Sequence, residues 1–281
     1  MSVVQLPIAS LKSSLTILSL LTSLALFAGS SHAAQSDYVP KSGQLGKDVV
    51  WVGNPDAMVQ KMLDMAGVMP SDYVVDLGSG DGRNVIAAAK RGAHGHGIEY
   101  DPDLVDYSKQ QARKAGVSDK TSFERGDVFV ADFSKATVVV LFLLPEMNRR
   151  LRPRLLDLKP GTRVVANTFA IGDWNPDEIA TDVSGCEKFC TARLWYVPAK
   201  VNGVWKLAQG ELTLKQVYQT FSGSLKNSDG TFPIAGRLRG DQINFRAGKI
   251  QFTGRVEGEV MEGFARTAGV DSRFRASRRE K

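Results

Sequence analysis

Apolar and polar positions follow two different rhythms along this chain. From Asn54 to Phe169, short apolar runs alternate with segments whose apolar residues recur every three or four positions. The runs "YVVDLG" from Tyr73, "HGHGIEYD" from His94, "TSFERGD" from Thr121, "ATVVVLFLLP" from Ala136 and "TRVVANTF" from Thr162 predict strands. The fourth is apolar throughout, as expected of a strand buried on both faces. Between them lie predicted helices. One opens at Asn54 as N-cap with Pro55 in its first turn, and its stripe of Met58, Met62, Leu63, Met65 and Ala66 reads as core. The second starts at Arg83 and is closed by Gly92, and the third carries Pro102 near its start. A fourth, within "MNRRLRPRLLDLKPG", is limited or kinked by Pro153. This alternation predicts an α/β fold, a Rossmann-like doubly wound parallel sheet with helices on both faces.

The rhythm then changes to a period of two. "ARLWYVPAKVNGVWKLAQG" reads as two strands around Asn202-Gly203, a hairpin signal that predicts an antiparallel hairpin at the sheet edge. Beyond Gly210, "AGRLRGDQINF" and "TGRVEGEVMEG" look like copies of one unit, with "FSGSL" a degenerate third. Residues 211–281 are therefore expected to form a small all-β meander with a basic tail. The opposite end of the chain is different again. No charge falls between Lys12 and Asp37, "LTILSLLTSLALFAG" is apolar or small, and Ser31 and Ala33 supply a small-residue cleavage site. A signal peptide over 1–33 and a mature start at Ala34 follow, leaving a main domain over 34–210. The apolar core is shorter than the ~20 residues that span a bilayer, so an uncleaved anchor facing the periplasm is the alternative to a periplasmic or secreted protein.

Composition changes this picture little. The chain of 281 residues is 43% hydrophobic, room for one buried domain and a smaller one. Its formal charge of +6 is concentrated in the tail "RFRASRREK", which suits a membrane surface; no nucleic-acid motif accompanies it. Cys186 and Cys190 make no metal framework and can pair in an oxidising compartment, unless a helix there holds them apart. His94 and His96 share a strand face without a third ligand and read as structural, so no metal site is expected.

The chemistry concentrates in "YVVDLGSGDGR", where glycines 78, 80 and 82 follow a strand. The Lys-Ser or Lys-Thr of a phosphate-binding P-loop is missing, and the dinucleotide spacing G-x-G-x-x-G is not met. Asp76 at the strand end and Asp81 in the loop would repel a pyrophosphate. They suit a ligand with positive charge and free ribose hydroxyls, such as S-adenosylmethionine. Glu99, at the end of the next strand, can accept from both ribose hydroxyls. Asp127, after the third strand, can accept from the adenine amino group, and the Val128 N–H can serve a ring nitrogen.

With "VVDLGSGDGR", "GIEYD", "RGDV" and "LKPG" in order, the chain resembles the seven-β-strand S-adenosylmethionine-dependent methyltransferases. "DLGSGDGR", "LLPEMNRRLRPRL", "GTRVVANTF" and Trp174 narrow the resemblance to the lysine N-methyltransferases of adenine nucleotide translocase and ATP synthase c-subunit and their small bacterial relatives, from about Trp51 to Pro198. The resemblance implies that Asp76, Gly78 and Gly80, with Ser79 and Gly82 of the same loop, hold the aminocarboxypropyl end of the cofactor, Glu99 the ribose, and Asp127 with Val128 the adenine. Where many amine methyltransferases carry [DN]-P-P-[YF], this chain has Leu143-Leu144-Pro145-Glu146, which leaves no side-chain base and suits an apolar slot for lysine. Leu143, Leu144, Pro145, Asn167, Phe169 and Trp174 are the expected channel residues; Glu146 reads as a favourable acid at a helix start. The implied partner is a protein substrate of the membrane or envelope. Because S-adenosylmethionine is made in the cytoplasm, an exported binding module without catalysis stays open, as do a small-molecule methyltransferase and a docking role for the meander.

Overall fold

The computed structural model describes residues 38–279, so the expected leader and its cleavage site lie outside the described residues. Tyr38 onward forms one compact unit. Its first part contains β1 (Tyr73–Leu77), β2 (His94–Glu99), β3 (Thr121–Arg125), β4 (Val138–Leu141) and β5 (Arg163–Asn167). The helices are α1 (Asp56–Met65), α2 (Arg83–Lys90), α3 (Pro102–Lys114) and α4 (Pro145–Leu156). Two further strands, β6 (Glu178–Ala180) and β7 (Ala192–Tyr196), complete a seven-stranded sheet in the order β3-β2-β1-β4-β5-β7-β6. The first five strands are parallel, and β7 is antiparallel to both β5 and β6.

Burial on two faces explains the apolar fourth strand. Val138 and Val140 pack with Met58, Met62 and Leu63 of α1, while Val139 and Leu141 pack with Leu151 and Leu155 of α4. All four β4 residues are fully buried. The helix starts follow local chemistry with one exception. Asp101 caps α3 by accepting from the Asp103 N–H at 2.9 Å, ahead of Pro102. In α1 the cap position falls on Pro55, one residue later than expected, because the Asn54 side chain is drawn into a buried amide network. Helix α4 starts at Pro145 and continues through Pro153. Pro153 has no N–H to give the Arg149 carbonyl, but both residues lie on the exposed side, where water can substitute.

An antiparallel pair does close the sheet edge, but β6 supplies the second strand. The strand beyond Asn202 leaves for a second layer instead. There, β8 (Gly203–Leu207), β9 (Gly210–Val217), β10 (Thr220–Asn227), β11 (Gly230–Arg239), β12 (Gln242–Ala247), β13 (Ile250–Glu257), β14 (Val260–Thr267) and β15 (Val270–Arg278) form a closed eight-stranded antiparallel barrel. The expected meander is thus a barrel that begins before residue 211 and closes where β8 pairs with both β9 and β15. Period-two burial fills its interior with Trp205, Phe221, Phe245, Phe252 and Phe274. The sequence repeats are successive hairpins: Leu238 and Ile243 in one and Val256 and Met261 in the next face inward, and Arg237 and Arg255 face out. Gly236 is required by packing, since a Cβ there would come within 2.3 Å of the Phe221 ring.

Barrel and sheet share a buried junction. The Trp174 indole N–H donates to Gln219 at 3.0 Å, Gln219 Nε2 donates to the Asn175 carbonyl at 2.7 Å, and the Trp195 indole donates to the Trp174 carbonyl at 2.8 Å. Arg237 and Arg239 of the barrel pair with Asp177 and Glu178, each at 2.6 Å. Trp174 is fully buried in this junction, which corrects its expected place on a substrate channel. An indole of that size, with its N–H satisfied, holds the two layers together.

Candidate active site

In an open sheet a crevice forms beyond the strand carboxyl ends where the strand order reverses, here between β1 and β4. The glycine loop, Glu99, Asp127 and Val128 all border one cavity at that place. The loop's geometry explains its residues. Gly78, Gly80 and Gly82 have φ of +81°, +53° and +81°, a region that side chains resist. Gly80 faces the cavity, and the Trp51 indole lies so close that a Cβ would meet it at 2.3 Å. Gly82 instead packs against Phe123 and Ser108, so its role is to let α2 approach the sheet and not to touch a ligand.

Glu99 Oε2 accepts from the Gly80 N–H at 2.9 Å, and Oε1 accepts from the N–H groups of Tyr100 and Asp101 at 2.8 and 3.0 Å. Asp127 accepts from the Phe129 N–H at 2.9 Å and from Lys47 at 2.6 Å, and the Lys47 bond first, then the backbone bond, holds its carboxyl below the ordinary range. Asp81 is bound twice over by Arg83, with Nε at 2.9 and 3.0 Å. That pairing weakens Asp81 in the charge argument made on the sequence, because Arg83 offsets part of the charge that the loop's second carboxylate presents to a ligand.

Asp76 lies one layer beneath the loop, 1% exposed. Burial pushes its carboxyl up to about 8, reinforced by the charges of Glu99 and Asp81 and opposed by a bond from Asn84 Nδ2 at 2.9 Å. That bond is the end of a buried chain of amides. Asn167 Nδ2 donates to Asn54 Oδ1 at 2.8 Å, and Asn54 Nδ2 donates to Asn84 Oδ1 at 3.3 Å. Asn167 therefore serves this network and is fully buried; it does not line the channel expected of it. Asp76 reaches the cavity through Asn84, which does line it.

At the other end the wall is apolar: Phe142, Leu143 and Met147. Leu144, 40% exposed, and Pro145 start α4 outside that wall, contrary to expectation. Glu146 is exposed in the first turn of α4 and pairs with Arg149 at 2.6 Å. Phe169 is half-buried and faces Phe142. His94 lies exposed at the start of β2, and His96 contacts Ser122 at 2.7 Å.

Residues 45–53 cover the cavity, with Lys47 bonded to Asp127 and Trp51 against Gly80, and sequence pattern predicts no element there because it has no periodicity. Asn84 was also missed; its signal was a buried amide in the apolar stripe of α2.

These residues fit S-adenosylmethionine. The cavity offers carboxylates on two strand ends for hydroxyl and amino donors, a glycine cradle with no room for side chains, and a buried Ser79 hydroxyl without a partner among the described residues. Fold and site together define an S-adenosylmethionine-dependent methyltransferase of the seven-strand class. Comparison with known proteins sharpens this. Residues 76–178 match the ANTKMT methyltransferase domain. The chain is 42% identical to a protein-lysine N-methyltransferase of Saccharolobus islandicus over 134 residues, 47% of this chain and 83% of that protein. It is 44% identical over 105 residues to the ATP synthase c-subunit lysine N-methyltransferase of Mus musculus, but spans only 42% of it. A crystal structure described as an RNA methyltransferase from Salinibacter ruber, with S-adenosyl-L-homocysteine bound, is 47% identical with a TM-score of 0.50, covering 53% of this chain and 96% of that one. The chain belongs to the ANTKMT methyltransferase family, and its cofactor is S-adenosylmethionine.

Proposed function

We propose that the protein methylates lysine side chains of an envelope protein substrate after export from the cytoplasm. The observation that carries the acceptor assignment is the wall beyond β4, where Phe142, Leu143 and Met147 present only apolar side chains. A lysine must lose its proton to act as a nucleophile, and desolvation in such a slot lowers its pKa. Bound S-adenosylmethionine supplies an electrophilic methyl group, so that an N–C bond forms, the S–C bond breaks to a thioether, and the acceptor's proton passes to water. The chain's part is positioning: Glu99 and Asp127 would hold ribose and adenine, and the Gly78–Gly80 loop with Asp76 behind it the amino-acid end. The names of the archaeal and mouse relatives support lysine as acceptor, and that of the Salinibacter protein makes RNA the competing one.

Export rests on the leader pattern of residues 1–33 and is supported by the disulfide between Cys186 and Cys190, which an oxidising compartment preserves. Contact with an anionic membrane surface is supported by the barrel's charge. Residues 203–279 hold thirteen Lys and Arg against seven Asp and Glu, a balance of +6 that equals that of the whole chain. Seven of these arginines face outward on β11–β15, in cross-strand rows such as Arg239–Gln242–Arg255–Glu262–Arg275. Each basic residue near an anionic leaflet contributes roughly 1 kcal/mol.

The test incubates purified protein with methyl-labelled S-adenosylmethionine and, in parallel, a detergent-solubilised envelope fraction and total RNA. Label mapped by mass spectrometry to lysine supports the reading. Label confined to RNA, carboxylates or small molecules rejects the acceptor and leaves the methyltransferase in place.

A further inference from the structure

We propose that Phe142, Phe169 and Phe189 form an aromatic cage that receives the substrate lysine's ammonium group and retains it through successive methylations, with Phe189 delivered by the disulfide-closed loop Cys186–Cys190. This rests on the lysine reading above. The three rings come from three separate segments: the end of β4, the end of β5, and the loop between β6 and β7. Their centroids are 5.3 Å apart for Phe142–Phe189 and 6.3 Å for each of the other two pairs. Phe142 lines the apolar end of the cavity, whereas Phe189 is 40% exposed, so the cluster leads from solvent to that end.

The backbone beneath the cage is strained in two of its three segments. Among the described non-glycine residues, four have positive φ, and Tyr218 and Ala268 sit at barrel turns. The other two are Phe189 itself, at +57°, and Thr168, at +58°, which precedes Phe169. An aromatic and a β-branched residue both disfavour that region, and such strain persists only where surroundings over-determine it. They do so here. The Thr168 N–H donates to the Thr191 carbonyl at 2.6 Å, and its carbonyl accepts from Arg193 Nε at 3.0 Å. Buried Asn148 ties two of the segments together, donating towards the Leu143 carbonyl at 3.3 Å and those of Phe169 and Ala170 at 3.4 Å. Phe189 stands inside a covalent five-residue ring.

The rings attract an alkylammonium on its way in, before the apolar slot at Leu143 and Met147 disfavours its charge, and a methylated one fits better because it has fewer N–H groups to strip of water. The cage thus keeps a mono- or dimethylated lysine in place for another round. Each round takes one methyl group from a fresh S-adenosylmethionine and releases one proton, until the trimethylated nitrogen has no lone pair to offer.

The deciding experiment needs no turnover. With S-adenosylhomocysteine present, calorimetry compares N-acetyl-trimethyllysine amide with its neutral carbon isostere. Wild type is expected to prefer the cation by about 2–30-fold. Phe142→Leu and Phe189→Leu, which keep apolar volume but lose the ring, should abolish the preference, and Phe189→Tyr should retain it. In the envelope assay the leucine variants and the Cys186→Ser/Cys190→Ser double variant should shift lysine products from tri- towards monomethyl. Equal binding of both probes by wild type, or an unchanged preference in both leucine variants, overturns the cage. An absence of lysine label in wild type overturns the acceptor reading instead, and the two failures are thereby distinguished.

Discussion

Stability should fall as pH rises from about 4 to 8, and Asp76 should be the main cause. In the unfolded chain its carboxyl titrates near the ordinary ~3.9. In the fold, burial raises it to about 8. Below both values the proton is bound in both states and the residue contributes no difference. Between them the native state binds more protons than the unfolded one, so stability decreases with pH at up to ~1.4 kcal/mol per unit. Above about 8 both forms are ionised and the loss levels off. From pH 6 to pH 8 the expected loss is on the order of 2–3 kcal/mol. Asp76→Asn keeps the shape and removes the charge, so its denaturant midpoint should vary much less over that interval. The same linkage reaches the cofactor. A cation in the cavity favours the ionised carboxylate, so binding at pH 7 should release a proton, measurable by calorimetry in buffers of different ionisation enthalpy. Parallel pH profiles for wild type and Asp76→Asn, with no proton released on binding, would refute the reasoning.

Other expectations follow from individual contacts. Glu99→Ala should weaken S-adenosylmethionine binding by about 1.5–3 kcal/mol, the value of a lost hydrogen bond to a charged group, as read by calorimetry. Lys47→Ala frees Asp127 from its ion pair and should tighten binding, by less than about tenfold for so exposed a pair; weaker binding would show that Lys47 contacts the cofactor. Trp174→Ala opens a cavity at the barrel junction and strands Gln219, and should cost about 3–5 kcal/mol in urea denaturation. Reversing Arg246 and Arg273 together should lower affinity for phosphatidylglycerol vesicles at least about tenfold at low salt, with no change on neutral vesicles.

The parallel strands were legible because each is buried by rules that act over a few residues. Val138–Leu141 must be apolar at every position when α1 lies on one face and α4 on the other. The barrel was legible only as strands. Its closure depends on Leu207 meeting Ala276, a pairing across sixty-nine residues of chain, and no local pattern encodes it. The Asn202-Gly203 dipeptide suggested a shorter-range partner, and it lost because Trp205, Lys206 and Leu207 find pairing on both sides in the barrel and would have had only an edge beside β7.

The site divides along the same line. Carboxylates at strand ends were recognisable because topology puts successive strand ends in one crevice, whatever the side chains do. What each polar residue touches there was not recognisable, since Asn54, Asn84 and Asn167 meet only in the fold, from positions 54, 84 and 167. Their meeting changes the meaning of Asp76. Had Asp76 stood alone at a strand end it would be an ordinary exposed acid, charged at neutral pH. Beneath the glycine loop, with one amide donor and two nearby carboxylates, it stays protonated until something positive arrives. A buried acid that ionises on binding a cation meets it in a low-dielectric site, where the attraction is stronger than at a surface carboxylate, and part of that gain offsets release of the proton, so affinity depends on pH. The amide chain therefore bears on affinity and its pH dependence, and Asn84→Leu, which removes the Asn84 bond to Asp76, should raise that carboxyl further and weaken S-adenosylmethionine most at low pH. A loss of affinity that is the same at pH 6 and pH 9 would assign Asn84 to the cavity wall alone.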